Sequence, residues 1–201
     1  ERAENNGTPL TNVPTKISSL IEYEKFFGGP QPETGININI VSDEEGNIQN
    51  LILDPASTFS EFVMYYQMQM YFANGGGPCY IVSTGAYVSN DDSGYTKLNY
   101  TTALDALRAE DEPTLLLFPD AVNLPAADFA DVQKHALLQC AELQDRFCIL
   151  DIKEKEGQTS SEWTTAYETF RTDIGSQNPK YGTAYTPLVH ANIPQDIRYY
   201  D

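Results

Sequence analysis

Hydrophobic positions along this chain change period several times, and each change marks an element. Leu20, Tyr23 and Phe27 recur at helical spacing behind Ser19 and Glu22, a capping-box pair, and Gly28 follows as a stop. After the break at Pro30-Gln31-Pro32, Gly35-Ile36-Asn37-Ile38-Asn39-Ile40 alternates with period two. Asp43 to Asn47 carries turn residues, and Ile48 to Leu53 returns as a second strand. That predicts a β-hairpin over 35–54. Phe59, Phe62, Val63, Tyr66, Met70 and Ala73 then resume helical spacing, with Thr58 and Glu61 as a second capping box.

The glycines Gly75-Gly76-Gly77 raise the question of a phosphate cradle. Such cradles need a strand feeding a glycine turn that opens a helix, so that free N–H groups face the anion. Here the glycines follow the helix, at the end carrying partial negative charge, and read as its terminator. Cys79 to Val82 lacks alternation and predicts a strand buried on both faces. Val88 to Thr96 is polar and predicts an exposed loop.

Tyr100, Leu104 and Leu107 mark a short helix, Thr114 to Phe118 a buried strand closed by Pro119-Asp120. Phe129, Val132, Ala136, Cys140 and Leu143 outline a longer helix, followed by a buried strand from Arg146 to Asp151. Thr159 and Glu162 form a third capping box before Trp163, Ala166, Tyr167, Phe170 and Ile174, and Gly175 stops that helix. Thr183 to Val189 reads as the last strand. Strands alternating with helices at this spacing predict an α/β fold, a mainly parallel sheet flanked by helices on both faces, with a small N-terminal β-hairpin appendage. One domain over 1–201 is expected.

Composition narrows the partners. A chain of 201 residues, 41% hydrophobic, can bury one good-sized core. Its formal charge of -17, from 29 acidic and 12 basic residues, argues against a nucleic-acid surface, since each phosphate would meet a repulsive field. Phe62 to Asn90 holds no charged residue, yet Gln67, Gln69 and Asn74 interrupt it, and its helical part falls short of the about 18 apolar residues of a membrane span. No apolar signal core opens the chain, which points to the cytoplasm. Cys79, Cys140 and Cys148 lie at apolar positions without metal-ligand spacing and read as reduced core residues.

Two constellations carry candidate chemistry. Asp120 and Asp151 each follow a predicted parallel strand, the edge where α/β hydrolases place metal-binding carboxylates. Asp120, His135 and Ser160 or Ser161 stand in the chain order of subtilisin-like proteases, but His135 falls in mid-helix and helix-start serines are commonly caps. His190 is isolated, and Asp145-Arg146 is a local ion pair of little weight if exposed. No catalytic, cofactor-binding or metal residue is assigned, and no cofactor is expected. A metal-dependent α/β hydrolase using Asp120 and Asp151 is the alternative function.

Several spaced blocks resemble the contractile tail sheath proteins. These are Pro14-Thr15-Lys16-Ile17-Ser18-Ser19-Leu20 with Phe26-Phe27-Gly28-Gly29, the run from Tyr71 to Val82, Leu115-Leu116-Leu117-Phe118-Pro119-Asp120, Cys140 to Asp151, and Tyr181-Gly182-Thr183-Ala184-Tyr185-Thr186-Pro187. The resemblance covers about residues 13–190. It implies a structural subunit that stacks in rings around an inner tube and contracts, with a subtilisin-like middle domain that accounts for the protease-like chain order without activity. Implied partners are other copies of the sheath protein through terminal arms, the inner tube protein and the baseplate, with no nucleic acid and no membrane insertion. Assembly in the bacterial cytoplasm, as part of a phage or phage-like particle, follows from the same resemblance. The chain opens at Glu1-Arg2 where a family member would already be inside the domain, and stops at Asp201 before the usual C-terminal domain. An excised middle piece without its terminal arms is therefore expected.

Overall fold

The computed structural model describes residues 3–87, 96–154, 157–195 and 197. The expected loop from Val88 lies outside them, up to Thr96, which caps the following helix. The described chain is mixed α/β, built around two apolar clusters.

The N-terminal half makes the smaller cluster. Strands β1 (Glu4–Asn5) and β2 (Thr8–Pro9) form a tight antiparallel pair, and β3 (Thr15–Ile17) leads into helix α1 (Leu20–Phe27). The expected cap is present: Ser19 Oγ accepts from the Glu22 N–H at 3.2 Å, while the Glu22 carboxylate accepts from the N–H and hydroxyl of Ser18, both at 2.7 Å. Strands β4 (Ile38–Ser42) and β5 (Ile48–Leu53) form the expected hairpin, with Ile38 opposite Leu53 and Ile40 opposite Leu51. Asp43 holds its turn, accepting from the Asn47 N–H at 2.7 Å and from the Gln49 amide at 2.8 Å. Every residue of both strands is exposed.

Helix α2 (Met64–Ala73) starts later than its hydrophobic spacing predicts, and Thr58 does not cap it. The Thr58 N–H instead donates to Gly35 O at 2.9 Å, which ties off the hairpin base. The glycines terminate α2 as expected: the Gly76 N–H reaches Tyr71 O at 2.9 Å, the Gly75 N–H reaches Phe72 O at 3.1 Å, and Gly75 takes φ +82°. This is the double hydrogen bond of a Schellman motif. Strand β6 (Cys79–Ile81) then pairs antiparallel with β3 rather than joining a parallel sheet. Ile17, Tyr23, Met68 and Ile81 are the buried centre of this cluster.

The second half holds the larger core. Helix α3 (Lys97–Leu107), β7 (Leu115–Leu116), helix α4 (Ala126–Leu143), β8 (Phe147–Leu150), helix α5 (Ser160–Ile174) and β9 (Gly182–Ala184) alternate, and the strands form a parallel sheet in the order β7-β8-β9. Leu116, Cys148 and Leu150 face Val132, Ala136, Leu137 and Cys140 of α4, with Tyr100 and Leu104 of α3 completing the cluster. Gly182 lets α4 approach closely, since a Cβ there would sit 2.7 Å from Leu137 Cδ2.

A mainly parallel sheet with helices on both faces is not what the described residues form. Three short strands are parallel, and the remaining sheets are two-stranded and antiparallel. Leu115 is 56% and Leu117 55% exposed, so the run expected to be covered on both sides is covered on one. Among the described residues no helix is long and apolar enough to cross a membrane.

Candidate functional site

Asp120 sits in a 3-10 turn, Pro119–Asn123, directly after β7. Its Oδ1 accepts from the backbone N–H of Val63 at 2.7 Å and of Met64 at 3.2 Å. These amides open α2, so the strand-end carboxylate invoked by the hydrolase alternative instead caps the start of a helix distant in sequence. Asn123 reinforces the junction by donating to Glu61 O at 2.8 Å. Burial raises the Asp120 carboxyl above its ordinary value, and the two amide bonds oppose that shift without cancelling it.

The sign of the pH effect follows. Above the ordinary carboxylate value and up to the raised folded value, the folded state binds more protons than the unfolded one, so stability from this group declines as pH rises through that window. Asp120→Asn keeps the acceptor and removes the charge, and is expected to flatten that decline in urea titrations taken from pH 3.5 to 6. Asp120→Ala removes the cap and is expected to cost about 1 kcal/mol, within the 0.5–2 kcal/mol range of such caps. Asp151 is half-buried and raised in the same direction by burial. Its N–H donates to the buried Gln133 amide oxygen at 3.2 Å.

The protease-like order does not become a site. His135 Nε2 lies 2.9 Å from Asp105 Oδ1, linking α4 to α3 at the surface. Ser160 and Ser161 are exposed in the first turn of α5, where Thr159 is the cap, accepting from the Glu162 N–H at 3.3 Å. His190 is exposed beside a recess of about 380 Å3 that Trp163 and Pro187 also line. Among the described residues no group of three or more His, Cys, Asp or Glu side chains is placed to hold a metal ion.

The cysteines divide. Cys140 and Cys148 are fully buried with their Sγ atoms 3.3 Å apart, while Cys79 is only partly buried. The hydrogen bond to Cys140 and burial push the Cys148 thiol up; the same bond, helped by the Arg146 charge, moves Cys140 down. All three were expected in the core, and Cys79 departs because it borders an open cavity. In native protein Cys79 is expected to react with a thiol reagent at least about 100-fold faster than the other two, which need local opening. Stopped-flow labelling with and without denaturant checks this.

Sequence reasoning missed the main polar structure of the core. Arg146, read as a local ion-pair partner of Asp145 at the start of a buried strand, has a side chain 0% exposed. Its guanidinium donates to Leu107 O, at the end of α3, at 3.3 Å, to Glu110 O just beyond it at 2.7 Å, and to both Asp145 oxygens. The buried Gln139 amide donates to Leu104 O at 2.6 Å. Together they satisfy carbonyls at the C-terminus of α3.

The remaining feature is a cavity of about 960 Å3 between the two clusters. Consecutive residues Cys79 to Val82 and Thr114 to Phe118 line it. Because side chains alternate across a strand, consecutive residues on one cavity mean that each strand offers its edge. Among the described residues β6 pairs with β3 alone, and β7 with β8 alone. Its charged groups are matched: Lys16 binds Glu112, and Asp120 holds the amides of α2. The chain matches no protein-family model and no curated protein.

Proposed function

We propose that this chain is a structural subunit of a contractile tail sheath, which polymerises around an inner tube and contracts to drive it through a target envelope. The observation that carries the proposal is uncovered apolar surface on a strongly acidic chain. The hairpin exposes Ile38, Ile40, Leu51 and Leu53, and the sheet edge exposes Leu115 and Leu117. A protein acting alone in water rarely keeps contiguous apolar surface of this extent, whereas an assembling subunit buries it against neighbours.

The resemblance supports the same conclusion. Its blocks coincide with the cores: Thr15–Ile17 and Cys79–Ile81 pair as β3 and β6, and Leu115–Leu116, Phe147–Leu150 and Gly182–Ala184 are the parallel strands. In this proposal the three-stranded sheet belongs to a larger parallel sheet covered on both faces in the assembled particle. Partners are other sheath copies, the inner tube protein and the baseplate, and assembly takes place in the bacterial cytoplasm. Asp120, the key residue of the hydrolase alternative, is engaged by backbone amides.

Catalytic silence is the expected result of calorimetry with magnesium and manganese and of a phosphatase and esterase panel. Turnover abolished by Asp120→Asn or Asp151→Asn would overturn the proposal in favour of a hydrolase. Tube, baseplate and tail-assembly reading frames are expected beside its own.

A further inference from the structure

We propose that the β4–β5 hairpin of one copy inserts into the cavity between β6 and β7 of the next, so that copies join head to tail. The proposal deepens the assembly function above and rests on it by naming one contact surface.

The hairpin is built as a blade. Ile38, Ile40, Leu51 and Leu53 share one face through the pairs Ile38–Leu53 and Ile40–Leu51, while Val41 and Ile52 lie on the other face beside Asn50 and Asn39. With Ile48, seven aliphatic side chains are 45–62% exposed. A two-stranded hairpin alone is marginal in water, so its apolar faces call for a cover. The strands carry no charge; Asp43, Glu44, Glu45 and Asp54 stand at the tip and base.

The cavity fits that blade in kind. It is bordered by Met70, Tyr71, Ile81, Leu115, Leu117 and Phe118, and it carries strand edges able to give backbone hydrogen bonds. Its charges are already paired, so the uncharged strands meet no unmatched ion. Area favours a slot over a stacked pair of hairpins. Seven half-exposed aliphatic side chains at roughly 100 Å2 each supply about 700 Å2, close to the about 800 Å2 that one side of a standard interface buries. Stacking two hairpins face to face would cover one face and leave Val41 and Ile52 in water. A donor and an acceptor at different places on one chain make a heterologous contact, which propagates instead of closing.

Sedimentation of the 201-residue chain from about 1 μM to about 500 μM tests this. Association rising with concentration beyond a dimer is expected. Leu51→Lys disables the donor and Leu115→Lys the acceptor; both positions are exposed, so circular dichroism should report unchanged folding. Each variant alone should associate at least about tenfold more weakly. An equimolar mixture retains one intact donor and one intact acceptor, and should recover a one-to-one dimer that grows no further. No recovery in the mixture, association indifferent to both variants, or a wild-type chain that stays monomeric would each overturn the proposal. Sheath tubes that still form from both variants would overturn this contact while leaving the sheath assignment standing.

Discussion

Arg146→Ala is expected to lower the unfolding free energy by about 2–3 kcal/mol, the scale for losing charge-assisted hydrogen bonds from a buried side chain to backbone carbonyls. The side chain is 0% exposed, and it bridges the strand β8 entrance to carbonyls at and just beyond the end of α3. Alanine leaves Leu107 O and Glu110 O without those donors and leaves Asp145 without its guanidinium. Arg146→Lys keeps the charge but cannot span carbonyls and carboxylate with one fork, so it should recover only part of the loss. Urea denaturation with an unchanged m-value is the measurement. A loss below about 1 kcal/mol, the worth of an exposed pair, would show that the network does not form.

Leu137→Ala should cost more, about 3–5 kcal/mol, toward the upper end of leucine truncations. Leu137 is 0% exposed in the centre of the larger cluster, and its Cδ2 faces the backbone of Gly182. The site cannot collapse easily, because the atoms opposite belong to a hydrogen-bonded strand rather than to flexible side chains. The adjacent Leu138 is 46% exposed and provides an internal control: Leu138→Ala should stay within about 0.5 kcal/mol. Equal losses at both positions would mean that α4 is rotated from the orientation described.

The elements legible in sequence were those set by local chemistry. The caps of α1 and α5, the Gly75–Gly76 stop and the Asp43 turn each use partners within six residues. The start of α2 was not legible, because its cap is a carboxylate 57 residues away from Val63 that only the tertiary fold delivers. The same contact bears on the hydrolase alternative: strand-end position is visible in a sequence, whereas the amides that occupy the Asp120 carboxylate are not. The burial of the Thr114 to Phe118 run was not legible for another reason. An unbroken apolar run is equally consistent with two covered faces and with one covered face beside an open cavity. His135 stood in the right chain order for a triad, but order carries no distance, and Asp105 takes its ring nitrogen. The role of Arg146 was hidden by its neighbour, since Asp145 suggests only a local pair until the carbonyls at and beyond the end of α3 are seen.

Electron microscopy of the protein, purified together with any tube protein found encoded beside it, tests the central claim most directly. Hollow helical tubes or stacked rings enclosing that inner tube are expected, with residues 14–187 forming the repeating wall. Particles that remain single subunits at every salt and protein concentration, and leave the inner tube bare, would contradict the sheath assignment.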